Sequence, residues 1–358
     1  MGNTGWGRRA DRVPTENSYL NGIVTRNCQN CIEPDASSEG GGLSNQAIEE
    51  TNKLLAPALV AGAVLLGVFV PALSSALLPF IFIALFFVVV LSLCNLENCP
   101  TEVMSSLDAF TIKMVLWQLV ALPLCLVLLT KVVHIPDTIQ AMMLATVTAS
   151  SVFAGPTLVA ILGLNRAQAT RCMVFSTMAM PISLLVFGTL MGIVPWGLSI
   201  GHYVRQINFF LIIPMIIALV YWTFRPNFSA KTERTMSKGL DCACTLALMV
   251  FCIGAMASIS NADGHQLVRV MSYGTVAVLL AVILFSVTAM VFSYLGPEQA
   301  LLAGMLSANR NIALAAAFLD QIVTSDLMVY VAVSQFPIFM FPIVVQLGRR
   351  MRSRLAKA

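Results

Sequence analysis

From about residue 54 to the C-terminus, the chain reads as long apolar runs separated by short polar clusters. An α-helix needs about 20 mostly apolar residues to cross a bilayer. That length, with Pro and Gly as punctuation, predicts ten spans: 54–70, 73–93, 111–133, 138–164, 167–194, 207–224, 240–259, 268–295, 299–322 and 327–347. Only Pro71-Ala72 and Ser74-Ser75 mark a turn between the first two. Residues 1–53 are instead rich in Gly, Asn, Ser and charge. They predict a mostly disordered cytoplasmic tail, with a short surface helix over 44–53 capped by Ser44. Residues 351–358 predict a basic cytoplasmic tail.

Composition points the same way. Hydrophobic residues make up 58% of the chain, charged residues 11%, and the mean hydropathy is +0.84. A soluble domain carries roughly 25% charged residues. The expected class is therefore an all-α polytopic membrane protein, with the bilayer as its first partner. No charged, apolar and small-residue pattern at Met1 predicts a cleaved signal peptide, so the first apolar segment is expected to direct insertion. Most of the nine cysteines lie in apolar runs (Cys125, Cys172, Cys252) and read as small hydrophobes. Cys28 and Cys31 form a lone CxxC, short of the four ligands of a closed zinc site. Cys94 and Cys99 flank a short loop that is expected to be cytoplasmic, where a stable disulfide does not persist.

Ten spans put both termini on one side. Among loops and their edges, that side carries Lys113, Arg166, Arg171, Arg225, Lys231, Arg234 and Lys238. The tails add Arg8, Arg9, Arg12, Arg26 and Lys53, then Arg349, Arg350, Arg352, Arg354 and Lys357. The opposite side has only Lys131, Arg205 and Arg269. Lys and Arg concentrate on the cytoplasmic side of membrane proteins. The expectation is a multi-pass protein of the plasma (cell inner) membrane with both termini cytoplasmic.

Ten divides into five and five. If the chain is an internal duplication, 54–200 and 205–350 are its halves, and an odd number of crossings turns the second upside down. Inverted repeats of this kind build secondary transporters, with sites near the midplane on interrupted helices. The fourth span of each half carries an interruption. In span 4 it is Ser150-Ser151-Val152-Phe153-Ala154-Gly155-Pro156-Thr157, where Pro156 lacks a donor and disfavours helix at Gly155. In span 9 it is Ser307-Ala308-Asn309-Arg310-Asn311, whose side chains compete with the helix ladder.

Arg310 is the residue that most demands an explanation. A guanidinium at mid-membrane costs at least about 2.5–3.5 kcal/mol on insertion scales, and Arg does not escape by losing its proton. A broken helix offers N–H groups at one new end, suited to an anion, and carbonyls at the other, suited to a cation. The fork of Arg310 matches a carboxylate. The candidate substrate is then an organic anion, with Arg310, Asn309, Asn311, Ser307, Ser150, Ser151, Gly155, Pro156 and Thr157 as binding residues. Equally, Arg310 could brace carbonyls freed at the break, and the two roles are compatible. Gln118 stands alone in the apolar third span, five residues before Pro123. With Ser176 and Thr177 of span 5 it forms the candidate ion-binding set, against the ordinary readings of a helix-contact amide and of hydroxyls bonded to their own helix.

Carboxylates are scarce at mid-membrane: Asp241 and Asp320 fall near span ends, and His134, His202 and His265 near loops. Neither an H-E-x-x-H pattern nor a Walker loop is present. An enzyme is not expected, nor is a cofactor, a resident metal or a nucleic-acid partner.

Ten spans, paired breaks in spans 4 and 9, Gln118 with Pro123, and the run Asn309-Arg310-Asn311-Ile312-Ala313-Leu314-Ala315 resemble the bile acid:sodium symporter family over roughly residues 54–350. The wider superfamily includes arsenite exporters and auxin-carrier-like proteins, and this chain would be a divergent, bacterial-type member. The resemblance implies a panel domain and a core domain, with broken helices 4 and 9 crossing in the core. It also implies transport of organic anions with sodium as coupling ion. Gln118 matches the family's sodium-ligating Gln. The sodium-binding Glu of span 9 falls on Leu306, the neighbouring amide on Arg310, and the Asn on Asn311. The Ser/Thr-Asn pair of span 4 falls on Gly155-Pro156, or with a gap on Ser150-Ser151. Hydroxyls early in span 5 are replaced by residues such as Met173. Most of the sodium shell is missing, so Arg310 is expected to supply the positive charge that sodium supplies in relatives.

The expected function is a secondary active transporter of a small organic anion working by alternating access. Its coupling could be to sodium, to protons, by exchange, or absent. An anion channel or membrane sensor on the same scaffold is the alternative, since broken helices also line pores.

Overall fold

A computed structural model describes residues 58–96, 103, 105–195, 199–260, 264–319 and 324–355. The expectations for the N-terminal tail, its CxxC, Cys99, Asp320 and the last three residues lie outside these. Among the described residues there is no strand, and almost every one is helical. The helices are α1 (Ala58–Phe69), α2 (Pro71–Cys94) and α3 (Ala109–Val132), then α4 (Asp137–Thr148), α5 (Gly155–Ile161) and α6 (Arg166–Leu190). After them come α7 (Ile200–Phe224), α8 (Ala230–Ala255) and α9 (Gly264–Val291), and last α10 (Pro297–Ala308), α11 (Ile312–Phe318) and α12 (Ser325–Leu355).

Seven of these, α2, α3, α6, α7, α8, α9 and α12, are long and apolar enough to cross a membrane. Large apolar side chains such as Leu128, Ile182, Ile216 and Ile283 are exposed on the outer faces. This is the build of a multi-pass membrane protein, in which lipid replaces water around the outer faces.

Several helices begin or end where polar side chains dictate, not where hydropathy changes. Ser229 caps α8 by accepting from the Thr232 N–H at 3.2 Å, so the helix starts at Ala230, ten residues before the expected span. Asp241, expected near a span end, therefore sits well inside a helix. Ser199 likewise starts α7 at Ile200, which takes Arg205 out of the expected loop and into the helix. At the other end α12 runs on to Leu355, through residues expected to form a tail. Arg and Lys are good helix formers and suit a helix C-terminus.

One proline inside a span finds a substitute partner for the bond it cannot make. Pro123 cannot donate to the Leu119 carbonyl one turn back. The helix answers with a π-helical turn over Trp117–Ala121, and Ser183 on α6 donates to that carbonyl at 2.6 Å. Pro214 follows a second π-helical turn, Asn208–Ile212. The hydroxyl of Tyr203 donates to the Pro181 carbonyl at 2.6 Å.

The helices pack in two groups. In one, α2 lies against α8 and α7, and the residues of α8 around Gly254 approach α2 so closely that a Cβ there would meet Ile81 at 2.6 Å and the Leu77 carbonyl at 3.0 Å. Arg225 ties this group together outside the apolar zone. It pairs with Glu233 at 2.7 Å, donates to the Leu96 carbonyl at 3.1 Å, and lies over the Trp222 ring. In the other group α6 packs on α3, α4 and α5, and α9 packs on α10 and α12. Here Asp108 caps α3 and meets Arg171 at 2.9 Å. Burial pushes the Asp108 carboxyl upward, but hydrogen bonds from Thr111 and the nearby Arg171 outweigh it and hold the group below its ordinary value.

Candidate functional site

Both expected interruptions are present, and they meet. The helical ladder stops at Thr148, where Ala149 turns extended (φ −61°, ψ 146°), and resumes at Gly155. It stops again at Ala308 and resumes at Ile312. The two gaps are joined by an isolated antiparallel bridge between Ser151 and Arg310. Its hydrogen bonds run from Val152 N–H to the Asn309 carbonyl (3.0 Å) and from Asn311 N–H to the Ser150 carbonyl (2.8 Å). One N–H and one carbonyl released by each break are thus satisfied by the other, as buried backbone requires.

One detail differs from expectation. Gly155 is the first helical residue of α5, with Pro156 in its first turn. Pro is tolerated there because first-turn N–H groups have no intrahelical partner. The break therefore lies before the Gly-Pro pair, over 149–154.

Arg310 is fully buried, and it is the only charged side chain among the buried residues described. Its Nε donates to the Ser307 carbonyl at 2.9 Å and its Nη1 to the Ala149 carbonyl at 2.7 Å. These carbonyls belong to the C-terminal ends of α10 and α4, two helices of three turns each. Helix C-termini carry partial negative charge and favour a cation. The bracing role weighed from sequence is present. The third nitrogen, Nη2, has no hydrogen-bond partner.

Around the bridge the polar residues form a sealed cluster. Ser151 Oγ donates to the Leu306 carbonyl (3.2 Å) and lies against the amide of Gln118, at 3.2 Å from Nε2 and 3.4 Å from Oε1. The Ser151 N–H donates to Ser176 Oγ at 3.3 Å. Asn311 Oδ1 accepts from the Leu314 N–H at 3.2 Å and so caps α11. Asn309 Nδ2 donates to the Met305 carbonyl at 3.0 Å. Gln118 and Ser176 thus join the crossing. Thr177 does not: its hydroxyl donates to the Met173 carbonyl of its own helix at 2.8 Å. Thr157 lies on the exposed side of α5's first turn.

Four buried polar side-chain atoms among the described residues have no hydrogen-bond partner: Ser150 Oγ, Ser307 Oγ, Asn309 Oδ1 and Arg310 Nη2. All four belong to residues at the crossing. Native structures leave few such atoms, and each calls for an explanation.

A cavity of about 180 Å³ lies between the crossing and the α2/α8 pair. Apolar residues such as Leu85, Val88, Leu248 and Phe251 line one wall, while Val152 to Ala154, Pro156 to Leu158, Arg310, Asn311 and Gln335 line the other. Arg310 belongs to this wall yet has no exposed surface, so its free nitrogen lies behind the wall. Gln335, on α12, is a buried amide that the sequence reading passed over. Like Gln118 it is a lone amide in an apolar span, and the same signal would have found it.

The residues present do not fit a sodium ion at the crossing. The position expected to hold a sodium-binding carboxylate is Leu306, apolar and buried. The Leu306 carbonyl is taken by Ser151, and those of Ala149 and Ser307 by the guanidinium. The N-terminal ends expected to favour an anion belong to α5 and α11, only seven residues each. Such short helices put little dipole behind them.

No protein-family model and no curated protein matches the chain.

Proposed function

We propose that this chain is a secondary active transporter that moves a small organic anion across the plasma membrane by alternating access, without a sodium requirement. The observation that carries the reading is the state of Arg310: a buried cation, held by carbonyls from two broken helices, with one nitrogen unpartnered beside a cavity. An intramembrane ionisable residue of this kind marks a substrate pathway by default.

On this reading the seven long helices, α1 and the two broken pairs α4/α5 and α10/α11 make ten crossings in two inverted halves. Both termini are then cytoplasmic. The α2/α7/α8 group acts as a panel, and the group holding the breaks acts as the core that moves against it. The likeness to bile acid:sodium symporters supports the architecture, while Arg310 supplies the positive charge that sodium supplies there. The cavity is smaller than the roughly 300–1,000 Å³ that drug-sized ligands occupy, which favours a small carboxylate over a steroid.

The test is uptake of labelled small carboxylates into proteoliposomes, with sodium or with choline as the counter-ion, for the unmodified protein and for Arg310→Gln. Saturable uptake equal in both salts and abolished by Arg310→Gln is the expected result. A strong, saturable sodium requirement would overturn the sodium-free reading. Unsaturable current would assign the scaffold to a channel.

A further inference from the structure

The cavity separates the two helix groups at one end of the crossing, and aromatic rings join them at the other. Along α2 the cavity runs beside Leu85, Val88, Ser92 and Asn95, a spacing that puts all four on one helical face. Along α8 it runs beside Asp241, Cys244, Leu248 and Phe251. Its polar end is at Asn95 and Asp241, whose side chains hydrogen-bond each other. No described residue of α2 before Leu85 lines it. Nearer the start of α2, the ring of Phe82 lies 6.3 Å from that of Phe210 on α7. Phe210 in turn meets Phe318, the last residue of α11, edge-on at 6.4 Å, and the Tyr203 ring lies 6.2 Å from Phe318. Tyr203, Phe210 and Phe318 are all buried. The Tyr203 hydroxyl, bonded to the Pro181 carbonyl at 2.6 Å, fastens α7 to α6 in the same place.

Helix α11 reaches both ends. Its first residues, Ile312 and Ala313, line the cavity, and Phe318 lies about 9 Å further along the axis. Asn311, which caps α11, is also tied by its N–H to Ser150 across the bridge. Seven residues make about two turns, short enough to move as one piece. A shift at the crossing is therefore carried to Phe318.

We propose that Tyr203, Phe210 and Phe318 form the gate that closes the crossing on the face away from Asn95 and Asp241, with α11 as the lever between gate and crossing. This inference rests on the transporter reading above and names what must move before a ligand can leave by the second face. Opening parts Phe318 from the two α7 rings and breaks the bond from Tyr203 to Pro181. A ring pair and a buried hydrogen bond each shift an equilibrium by about two- to tenfold. Together they hold the protein in the state open toward Asp241, while leaving the other state within reach.

The experiment places a reporter thiol at the crossing, Ala313→Cys, in the full-length protein in sealed membrane vesicles of each orientation. A membrane-impermeant maleimide is added outside, and its attachment at position 313 is read by peptide mass spectrometry, apart from the native cysteines. Labelling from the Asp241 face is expected to be at least about tenfold faster than from the other face, which sees only the minor state. Tyr203→Phe keeps the ring and removes the bond to Pro181. It should raise labelling from the other face about fivefold, the worth of one buried hydrogen bond. Phe318→Ala loses two ring contacts and should raise it further. Phe341→Ala, which removes a ring contact with Phe285 elsewhere, should leave it unchanged. Equal labelling from both faces before any gate substitution, an unchanged rate in either gate variant, or an equal rise with Phe341→Ala would overturn the gate. Labelling needs no substrate, so the two readings fail separately. Uptake that persists with an unresponsive gate leaves the transporter standing, and a responsive gate in a protein that takes up no anion sinks the transporter alone. Where Phe318→Ala does not fold, Tyr203→Phe decides.

Discussion

Between α4 and α5 the chain leaves helical geometry for six residues, 149–154, and re-enters it at Gly155-Pro156. Between α10 and α11 only three residues intervene, and none is Gly or Pro. The second gap is made at Asn309, Arg310 and Asn311: the Arg310 side chain holds the Ser307 carbonyl and that of Asn311 the Leu314 N–H, groups that would otherwise close the ladder. Neither gap needs a left-handed residue, since the only positive φ values among the described residues are at Gly163, Gly192 and Gly296. A helix can thus be interrupted by backbone chemistry or by side-chain capture. The captured kind places its functional groups at the break itself, because the groups that break the helix are also the ones a ligand meets.

The sharpest way to break this comparison is Arg310→Met. The substitution removes the donor to two helix ends and the charge the proposed ligand needs. Losing one partner of a buried charged pair costs about 2–5 kcal/mol, so anion binding should weaken by at least about 30-fold. Carboxylate binding and uptake measured side by side check this. Retained binding would make Arg310 a brace alone.

Next comes Ser151→Ala, on the other break. Its hydroxyl stands between the Gln118 amide and the Leu306 carbonyl. Stranding those buried groups should cost about 1–3 kcal/mol, read as a lower midpoint in denaturant or heat. A neutral result would mean that the backbone bridge alone joins the breaks.

Asn311→Ala should follow at about 1 kcal/mol, the usual cost of losing an N-cap. Its backbone N–H still bonds Ser150, so the bridge survives while the start of α11 frays. Faster amide exchange at Leu314, with little change at Leu158 on α5, is the expected pattern. Equal loosening of both helices would show that the two gaps form one cooperative unit.

These breaks were legible in the sequence because interrupting a helix is a local event. Pro156 and the Asn309-Arg310-Asn311 cluster act on their own turns, so their neighbours in space need not be known. Gln118 was legible for a related reason: a lone amide in an apolar span needs a partner, and Ser151 is that partner. The partners of Arg310 were not legible, because Ala149 and Ser307 contribute carbonyls that every residue type carries. The early start of α8 and the late end of α12 escaped for a different reason. Hydropathy measures the membrane, whereas Ser229 and the C-terminal arginines prolong helix beyond it. The expected loss of helix at Gly155 did not occur, because a proline suits the first turn of a helix and the ladder had already stopped at Thr148.

The smallest effect belongs to Gly155→Ala, and it bears on the comparison most directly. If the span-4 break needs the freedom of glycine, an added Cβ should damage it. A Cβ there would meet only Leu306 Cδ2 at 3.8 Å and Val152 Cγ1 at 3.9 Å, both ordinary contacts, and the residue is helical. Alanine also restricts the unfolded chain, which stabilises compatible sites by about 0.4–1 kcal/mol. The variant should therefore melt at or slightly above the parent and bind carboxylates unchanged. A marked loss of stability would mean that Gly155, and not Pro156 with the bridge, keeps α4 and α5 apart. The span-4 break would then rest on one backbone position, as the span-9 break does not.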